Sequence, residues 1–386
     1  MAELNNFNIP QQKPMVLLSP LDWGLGHTTR CIPIIQELLI QGCSVIIACN
    51  STQKALLSRE FPGLTYVHLA GYNLKYGKKR WGTIVRIILQ TPKILIRINN
   101  EKNWLNIFLK SQRVDCIISD NRFGLYARNI PSVFITHQLY IKTGLGKPAD
   151  RLVQWLNYRR INRFTTCWVP DRKGTKTMAG KLSNPEQLPA IPLQYLGGLS
   201  RFKACSTTTS PIQLLIILSG PEPQRSIFEN LLLKQLEPQP GKTVLVRGLP
   251  KEGESVQVKN NITIYNHAPA GLLNELMCNA EWVISRSGYT TVMDLLKLGK
   301  KSILVPTPGQ AEQEYVAAHL QKEQLAYTVS QGQFNLQKAL AGANEFPYQV
   351  SPWPMEDYKK AIKESIDQIL KSPSDNQRTS TPSSHP

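Results

Sequence analysis

The chain has 386 residues, of which 41% are hydrophobic and 19% charged, and its formal net charge is +18. This size predicts two globular domains, while apolar runs stay below the about 20 residues that span a bilayer and the first residues lack the features of a secretory signal. The positive charge predicts an anionic partner, either nucleic acid, an acidic lipid surface or a phosphorylated substrate.

Seven cysteines are scattered along the sequence without a Cys-x-x-Cys pair. Cys31, Cys43, Cys49 and Cys116 lie inside apolar segments, where cysteine usually packs as a small hydrophobic residue. We therefore expect neither a zinc site nor a disulfide framework, and a reducing cytoplasm fits this usage.

A β-loop-α-β unit follows the polar residues 1–14, which we expect to be loose. Residues 15–19 predict a buried strand, residues 20–30 a glycine-rich turn, residues 29–40 a helix and residues 44–49 the next strand. This order predicts the start of a doubly wound α/β domain. The turn lacks the third glycine of a dinucleotide fingerprint, which argues against a nicotinamide cofactor.

Residues 72–113 form a basic region with ten Lys or Arg and one acid, Glu101. Residues 72–82 predict a loop and residues 83–110 a helix that is broken near Pro92, with aliphatic residues on one side and basic residues on the other. Such a helix suits an acidic membrane surface. A core-facing helix with a solvated basic face explains the pattern equally well.

Two further predicted strands of this domain end in polar residues. Residues 114–119 lead to Asp120 and residues 131–136 lead to His137. Open α/β sheets bind ligands at the carboxyl ends of their strands, so both side chains are candidates for a site. Residues 203–211 then predict a polar linker, and a second series of strands and helices begins.

Residues 284–299 are the most informative stretch of the second half. They predict the end of a strand, a tight turn at Ser285, Ser287 and Gly288, and a helix. Such a turn directs free backbone N–H groups and the positive end of a helix dipole at a ligand. Arg286 adds a charge and Asp294 could accept hydrogen bonds from a sugar diol, so phosphate and ribose are the predicted ligands. The simpler alternative is an ordinary strand–helix junction.

Five stretches taken together resemble glycosyltransferase family 28, more closely in the C-terminal half: residues 22–30, 136–138, 219–225, 286–294 and 308–314. The chain is most similar to members that transfer N-acetylglucosamine from its UDP form to a lipid-linked muramyl acceptor. The resemblance implies a GT-B fold, with two facing Rossmann-like domains. It implies an acceptor domain at 15–202, a linker at 203–211, a nucleotide-sugar domain at 212–354, a helix at 355–371 that crosses back to the first domain, and a disordered tail at 372–386.

The resemblance also implies the site residues. The turn around Gly220 would approach the donor diphosphate, Asp294 would bind ribose, and Gln313 with Glu314 would contact the sugar. The expected donor-binding set is Gly220, Gln224, Arg225, Arg286, Ser287, Gly288, Asp294, Gln310, Gln313 and Glu314, and the acceptor loop contributes Gly24, Gly26 and Thr28.

His27 is the first candidate for the general base, because an imidazole titrates near neutral pH. His137, Asp22 and Asp120 are the further candidates. The sequence contains no Asp-x-Asp pair, and the resemblance implies inverting catalysis without a metal or other cofactor.

The predicted function is transfer of a hexose or N-acetylhexosamine from a UDP-sugar to a lipid-linked or cell-envelope acceptor. We expect a cytoplasmic protein, peripheral to the inner face of the cell membrane through residues 72–113. Asp294 and Glu314 depart from the family's Glu and Gln, and the family's His-Glu-Gln motif is shortened to His137-Gln138. These departures favour an acceptor other than the peptidoglycan precursor. A nucleotide-sugar epimerase and a non-catalytic UDP-sugar-binding protein are the alternatives. No nucleic-acid module is recognisable, which disfavours that partner.

Overall fold

The computed structural model describes residues 13–72, 80–205, 212–220, 222–236, 241–249 and 255–371. They form two α/β units, each built on a seven-stranded sheet. The predicted architecture of two Rossmann-like domains is confirmed.

The first sheet has the strand order β3-β2-β1-β4-β5-β6-β7, and its neighbouring strands are parallel. In chain order its elements are β1 (Met15–Pro20), α1 (Leu25–Ile40), β2 (Ser44–Cys49), α2 (Ser51–Glu60), β3 (Thr65–His68), α3 (Arg80–Ser111), β4 (Cys116–Asp120), β5 (Ser132–Ile135), α4 (Lys147–Ile161), β6 (Thr166–Val169) and β7 (Leu193–Tyr195).

Both faces of this sheet are covered, which explains why its strands are apolar without alternation. Leu17 of β1 packs in a cluster with Leu105 of α3, whereas Val16 and Leu18 pack in a cluster with Ile35 of α1. The strand order reverses direction between β1 and β4, so a crevice forms where the loops after these strands diverge.

The second sheet has the order β10-β11-β9-β8-β12-β13-β14, with an antiparallel β10–β11 hairpin and parallel pairing elsewhere. Its strand order reverses between β8 and β12. Its elements are β8 (Ile212–Ile217), α5 (Gln224–Leu233), β9 (Thr243–Val246), β10 (Val256–Lys259), β11 (Ile262–Tyr265), α6 (Ala270–Asn279), β12 (Ala280–Ser285), α7 (Tyr289–Leu298), β13 (Ser302–Leu304), α8 (Ala311–Lys322), β14 (Tyr327–Thr328), α9 (Leu336–Glu345) and α10 (Asp357–Lys371).

The last helix packs on the first unit although it follows the second in the chain. Helix α10 contacts α1 and β7. Ile362 of α10 is fully buried, and Ser365 accepts a hydrogen bond of 2.9 Å from the indole of Trp168 in β6. The C-terminal helix therefore fastens the second unit to the first.

Two predicted helices differ from the observed ones. Helix α3 continues through Pro92, which lies inside it, instead of breaking there. Helix α1 begins at Leu25, so Gly26, His27 and Thr28 lie in its first turn and not in a loop. A proline removes one hydrogen bond of the helix and its ring crowds the carbonyl four residues earlier, but a long helix can continue through it with a kink.

The expectation of no disulfide was wrong. Cys205 and Cys278 are bonded, with their Cα atoms 5.3 Å apart, and five other cysteines are free and buried. Spacing could not predict the pair, because the two residues are 73 positions apart.

Several expectations fall on residues outside the described part of the chain. These are most of the loose N-terminus, the basic loop over 73–79, most of the linker and the tail after residue 371. Across the described ranges, no helix is long and apolar enough to cross a membrane.

Candidate active site

The crevice of the first sheet holds a histidine and an aspartate. His27 lies in the first turn of α1, directly after β1, and Asp120 is the last residue of β4. These two elements flank the reversal of strand order, so their side chains meet: His27 Nδ1 lies 3.0 Å from Asp120 Oδ2.

Protonation of this pair follows from its surroundings. Burial would raise the pKa of Asp120, but the charge of Arg30 and the bonds from His27 hold it at about 2. Asp120 is therefore an ionised acceptor, so the proton of His27 sits on Nδ1 and Nε2 carries a lone pair. Burial and the charge of Arg30 lower the pKa of His27, so the imidazole is neutral at pH 7.

Arg30 organises this crevice from one helical turn beyond His27. Its guanidinium forms a close ion pair with Asp120 Oδ1, and its Nη1 lies 3.1 Å from His137 Nδ1. An arginine can only donate, so His137 Nδ1 is the acceptor and Nε2 carries the hydrogen.

His137 joins the two units. Its Nε2 donates to Glu312 Oε1 over 2.7 Å, and its ring stacks on Tyr289 with centroids 3.9 Å apart and planes 3° apart. Burial would raise the pKa of Glu312, but the hydrogen bond from His137 and the charge of Arg30 lower it. Glu312 is the second residue of α8 and Tyr289 is the first residue of α7. A polar chain therefore runs from His27 through Asp120, Arg30 and His137 into the second unit.

The first turns of α1 and α7 meet across the interface. Thr290 Oγ1 donates to the carbonyl of Gly26 over 3.0 Å, and a Cβ placed on Gly26 would lie 3.0 Å from that hydroxyl. Tyr289 donates to the carbonyl of Pro170 over 2.7 Å. Gly26 therefore allows the close approach of two helices, and its predicted role in the acceptor loop stays a prediction.

The crevice of the second sheet has uncapped helix starts. Gly220 follows β8 with φ of 100°, a value that favours glycine. Neither α5 nor α7 has a side-chain cap or an acidic residue in its first turn. The dipoles of both helices favour an anion at these starts, and at α5 the carboxylate of Glu222 already accepts from the N–H of Ser226 over 3.3 Å. Binding of a phosphate by Ser287 and Gly288 stays a prediction.

The side chain of Arg286 is bound inside the protein, beneath the predicted site. Its guanidinium is buried on the ring of Phe228 and donates to the carbonyls of Val305 and Gln224. Burial lowers its pKa to about 10, so it stays charged at neutral pH. The side chain turns inward and connects the loop after β13 to the start of α5 from beneath.

Other predicted donor residues are also engaged internally. Arg225 is buried between Glu222 and Glu229 in two ion pairs of 2.6 Å. Gln224 is buried, with its side-chain oxygen 3.2 Å from the amide of Gln331. These side chains shape the start of α5 through contacts with other protein groups. Their direct contact with phosphate stays a prediction.

The loop before α8 is folded by its own polar side chains. Gln313 Oε1 accepts from the backbone of Thr307, and Gln313 Nε2 donates to Gln310 Oε1. Glu314 Oε1 accepts from the backbone of Gly309 over 3.2 Å. The predicted sugar-contacting residues therefore hold the loop, while Glu312 between them reaches the neighbouring unit.

Asp294 lies in α7 and accepts a hydrogen bond of 2.6 Å from Ser200 Oγ. Burial raises its pKa to about 6, against the opposing charge of Arg201. A cleft of about 260 Å³ lies nearby between the units, and among its walls are Leu25, Arg201 and His267.

Three predicted residues of the N-terminal turn help to fix its conformation. Asp22 accepts from the backbone of Tyr72 over 2.9 Å, so it ties the turn to the segment after β3. Thr28 is buried and lies 3.2 Å from the amide of Gln53. Gly24 precedes α1 with φ of 84° and starts the helix.

The sequence interpretation missed Arg30, Tyr289 and Glu312. Arg30 carried a usable signal, because it lies three positions after His27 and therefore on the same helix face. Tyr289 and Glu312 carried none, because their roles depend on contacts between units. Within the described ranges, no group of three or more His, Cys, Asp or Glu side chains is placed to hold a metal ion.

Comparison with known proteins defines the class. Residues 241–370 match the glycosyltransferase family 28 C-terminal domain. An uncharacterized glycosyltransferase of Methanosarcina acetivorans is 24% identical over 315 residues, which cover 78% of this chain and 81% of the relative.

Solved structures share the whole two-unit fold. The glycotransferase of kitacinnamycin has a TM-score of 0.62 at 15% identity, covering 93% of this chain and 95% of its own. The spinosyn rhamnosyltransferase SpnG complexed with thymidine diphosphate has a TM-score of 0.57 at 17% identity, covering 92% and 96%. MurG of Acinetobacter baumannii has a TM-score of 0.52 at 15% identity, covering 93% and 99%.

The fold and the site thus define a glycosyltransferase of the GT-B class. Within that class, residues 241–370 are similar to the family 28 C-terminal domain, and the relative from Methanosarcina acetivorans is similar along most of the chain. The resemblance inferred from the sequence is confirmed.

Proposed function

We propose that the chain transfers a hexose or N-acetylhexosamine from a UDP-sugar to an acceptor hydroxyl with inversion. The observation that carries this proposal is the His27–Asp120 pair at one crevice, beside the uncapped start of α7 from the other. The first group can accept a proton and the second can receive a diphosphate.

The reaction balances with these groups. The acceptor oxygen attacks the anomeric carbon, and the new glycosidic bond forms as the bond from that carbon to the phosphate oxygen breaks. The acceptor proton moves to Nε2 of His27, and ionised Asp120 stabilises the imidazolium through Nδ1. The leaving diphosphate takes the bonding electrons, and the N–H groups at the starts of α5 and α7 stabilise its charge.

The donor is proposed to lie along the second sheet, with its nucleoside toward the cleft between the units. The walls of that cleft are largely apolar, and they include Ala268 and Pro269 before α6. Arg201 adds a positively charged side chain at one edge. A planar base between apolar walls and a polar edge is a suitable occupant.

Donor screening tests the proposal. UDP, dTDP, ADP and GDP are titrated calorimetrically into the protein. Sugars linked to the nucleoside diphosphate that binds most tightly are then incubated with the protein, with and without polyprenyl-linked and saccharide acceptors. Tight UDP binding and acceptor-dependent release of UDP are expected. Formation of an epimer from the donor alone would show that the protein is an epimerase and not a transferase. Donor binding without turnover on any acceptor would show that it is a non-catalytic sugar-nucleotide-binding protein.

A lipid-linked acceptor at the inner face of the cell membrane is the second part of the proposal. Helix α3 exposes Leu89, Leu95 and Ile96, and it carries Lys93 and Arg97 between or beside them. Exposed aliphatic side chains with interspersed cations suit the interface of an anionic bilayer.

Vesicle sedimentation tests this surface. Anionic vesicles should sediment the protein at low salt, zwitterionic vesicles should not, and Leu95→Glu with Ile96→Glu should reduce binding at least fivefold. Val258→Glu is the matched control, because Val258 is 71% exposed on β10 of the other unit. Equal binding by the α3 variant and the control would remove α3 as the contact.

A further inference from the structure

The loop between β13 and α8 contains a buried hydroxyl that its own fold does not use. Thr307 is 1% exposed, and within the described residues its Oγ1 has no hydrogen-bond partner. Its backbone is fully engaged, since the N–H donates to Gln313 Oε1 over 2.9 Å and the carbonyl accepts from Gln310 over 3.1 Å. A buried hydroxyl without a partner destabilises the fold, so its position calls for an explanation.

The hydroxyl faces the donor side of the second unit. A Cβ built on Gly220 would lie 3.9 Å from Thr307 Oγ1, which places the hydroxyl beside the turn after β8. That turn leads into α5, a helix of ten residues, where Glu222 Oε2 accepts from the N–H of Ser226 over 3.3 Å. Thr307 therefore lies beside the positive end of a helix dipole.

Arg286 holds these parts in place from below. It donates to the carbonyl of Val305 over 3.1 Å, two residues before Thr307, and to the carbonyl of Gln224 over 2.9 Å, at the start of α5. One buried cation thus fixes the distance between the loop and the helix start. Its positive charge also favours an anion above it.

We infer that Thr307 Oγ1 donates a hydrogen bond to a phosphoryl oxygen of the donor diphosphate, beside Gly220 and the start of α5. This assignment rests on the proposed function, since it takes a nucleoside diphosphate as the ligand. A hydroxyl bonded to a charged oxygen contributes more than one bonded to a neutral group. Thr307 is thus a binding residue for the diphosphate, supported by a backbone that holds it in one position.

The test compares Thr307→Val with Thr307→Ser. UDP and dTDP are titrated calorimetrically into wild type and both variants, and uridine and thymidine are measured by displacement. Valine keeps the volume and removes the hydroxyl, so affinity for the diphosphate that wild type binds should fall at least about tenfold. Serine keeps the hydroxyl and should stay within about twofold, and nucleoside affinity should be unchanged.

Thr243→Val is the matched control. Thr243 is also 1% exposed with an unpartnered Oγ1, but it begins β9 and thus lies at the opposite edge of the sheet from the donor loops. Both valine variants should unfold at the same or a higher temperature than wild type, because each loses an unsatisfied hydroxyl. Only Thr307→Val should lose diphosphate affinity.

Two results overturn the assignment while sparing the proposed function: equal diphosphate affinity in Thr307→Val and wild type, or an equal loss of nucleoside affinity. Failure of wild type to bind UDP or dTDP overturns the proposed UDP donor and this inference together.

Discussion

The His27–Asp120 pair makes the sharpest prediction at the scale of single residues. His27→Ala should lower kcat about 10³-fold, because a positioned general base is lost, while donor affinity stays within twofold. Wild-type kcat/KM should fall only below pH 6.5, since the pKa of His27 is lowered and the neutral form is the base. Steady-state kinetics with product release as the readout measures both.

Asp120→Asn tests two effects of the Asp120 carboxylate, on the pKa of His27 and on the rate. Its charge raises the pKa of His27, so its removal should move the acidic limb of the pH profile further down while the rate falls about 10²-fold or more. His68→Ala, on exposed β3, is the control and should behave as wild type. An unchanged rate in His27→Ala would remove the imidazole from the mechanism.

Asp294 predicts a pH dependence of stability. Its pKa rises from 3.8 to about 6 on folding, so the folded state binds the proton more tightly. The resulting stabilisation is present below pH 3.8 and is lost as pH rises through 6. The free energy of unfolding decreases by about 3 kcal/mol over this range. Asp294→Asn should therefore gain stability over wild type between pH 4 and pH 8, as measured by urea unfolding.

Asp150 gives a control of opposite sign. Burial would raise its pKa, but hydrogen bonds from Thr143 and Tyr140 lower it, so its contribution to stability is present above its unfolded pKa. Asp150→Asn should lose stability relative to wild type as pH rises from 2 to 7. A stability difference between Asp294→Asn and wild type that does not change with pH would show that Asp294 titrates normally, and the same slope as Asp150→Asn would show that its pKa is lowered.

Residue types at strand ends were predictable, but the direction of each side chain was not. His27, Asp120 and His137 follow strands whose carboxyl ends must meet, so their approach could be expected from order alone. Arg286 looked equally suitable for a ligand. It turns inward because Phe228 and two loop carbonyls bind it, and such partners come from segments far apart in sequence.

The junction of α1 and α7 carries the prediction at the scale of elements. Gly26→Ala adds a methyl group 3.0 Å from Thr290 Oγ1, so the two helix starts must separate. We expect kcat/KM to fall about tenfold, the equivalent of about 1–2 kcal/mol of overpacking. Thr290→Ala in the same chain should restore part of the loss, and this non-additivity would be measured as a double-mutant cycle.

Gly271→Ala is the matched control for that junction. Gly271 is also the second residue of a helix, α6, and an added Cβ there meets nothing within 4 Å. It should leave kcat/KM unchanged. Equal effects of the two alanines would show a general effect of alanine at the second helix position and would rule out the contact between α1 and α7 as the cause.

Elements with strong apolar patterns were predictable, whereas mixed ones were not. The strands on both sides of each reversal were expected from their aliphatic runs. Helices α2 and α4 were not, because few of their side chains are buried and their patterns are polar. Pro92 was read as a break, although its helix continues on both sides of it.

At the scale of the whole molecule, the two units share one continuous apolar core. The segment between them contributes Leu196, Leu199 and Phe202, all buried in the same cluster as Ile35 of α1 and Val292 of α7. A core of this kind resists separation of the units. The repeated alternation of strands and helices in the two halves was expected from the sequence. The shared core could not be, because it forms only where the segment between the units is buried.

The Cys205–Cys278 bond fastens the same segment to α6, beside a hydrogen bond of 2.8 Å from Lys203 to Asn274. Closing a loop across 73 positions restricts the unfolded chain, and its reduction should lower stability by about 4 kcal/mol. Denatured, unreduced protein should then titrate five thiols of the seven cysteines. The double variant Cys205→Ser with Cys278→Ser should unfold at the temperature of reduced wild type and be insensitive to reductant. Seven reactive thiols in protein purified without reductant would show that the bond does not form.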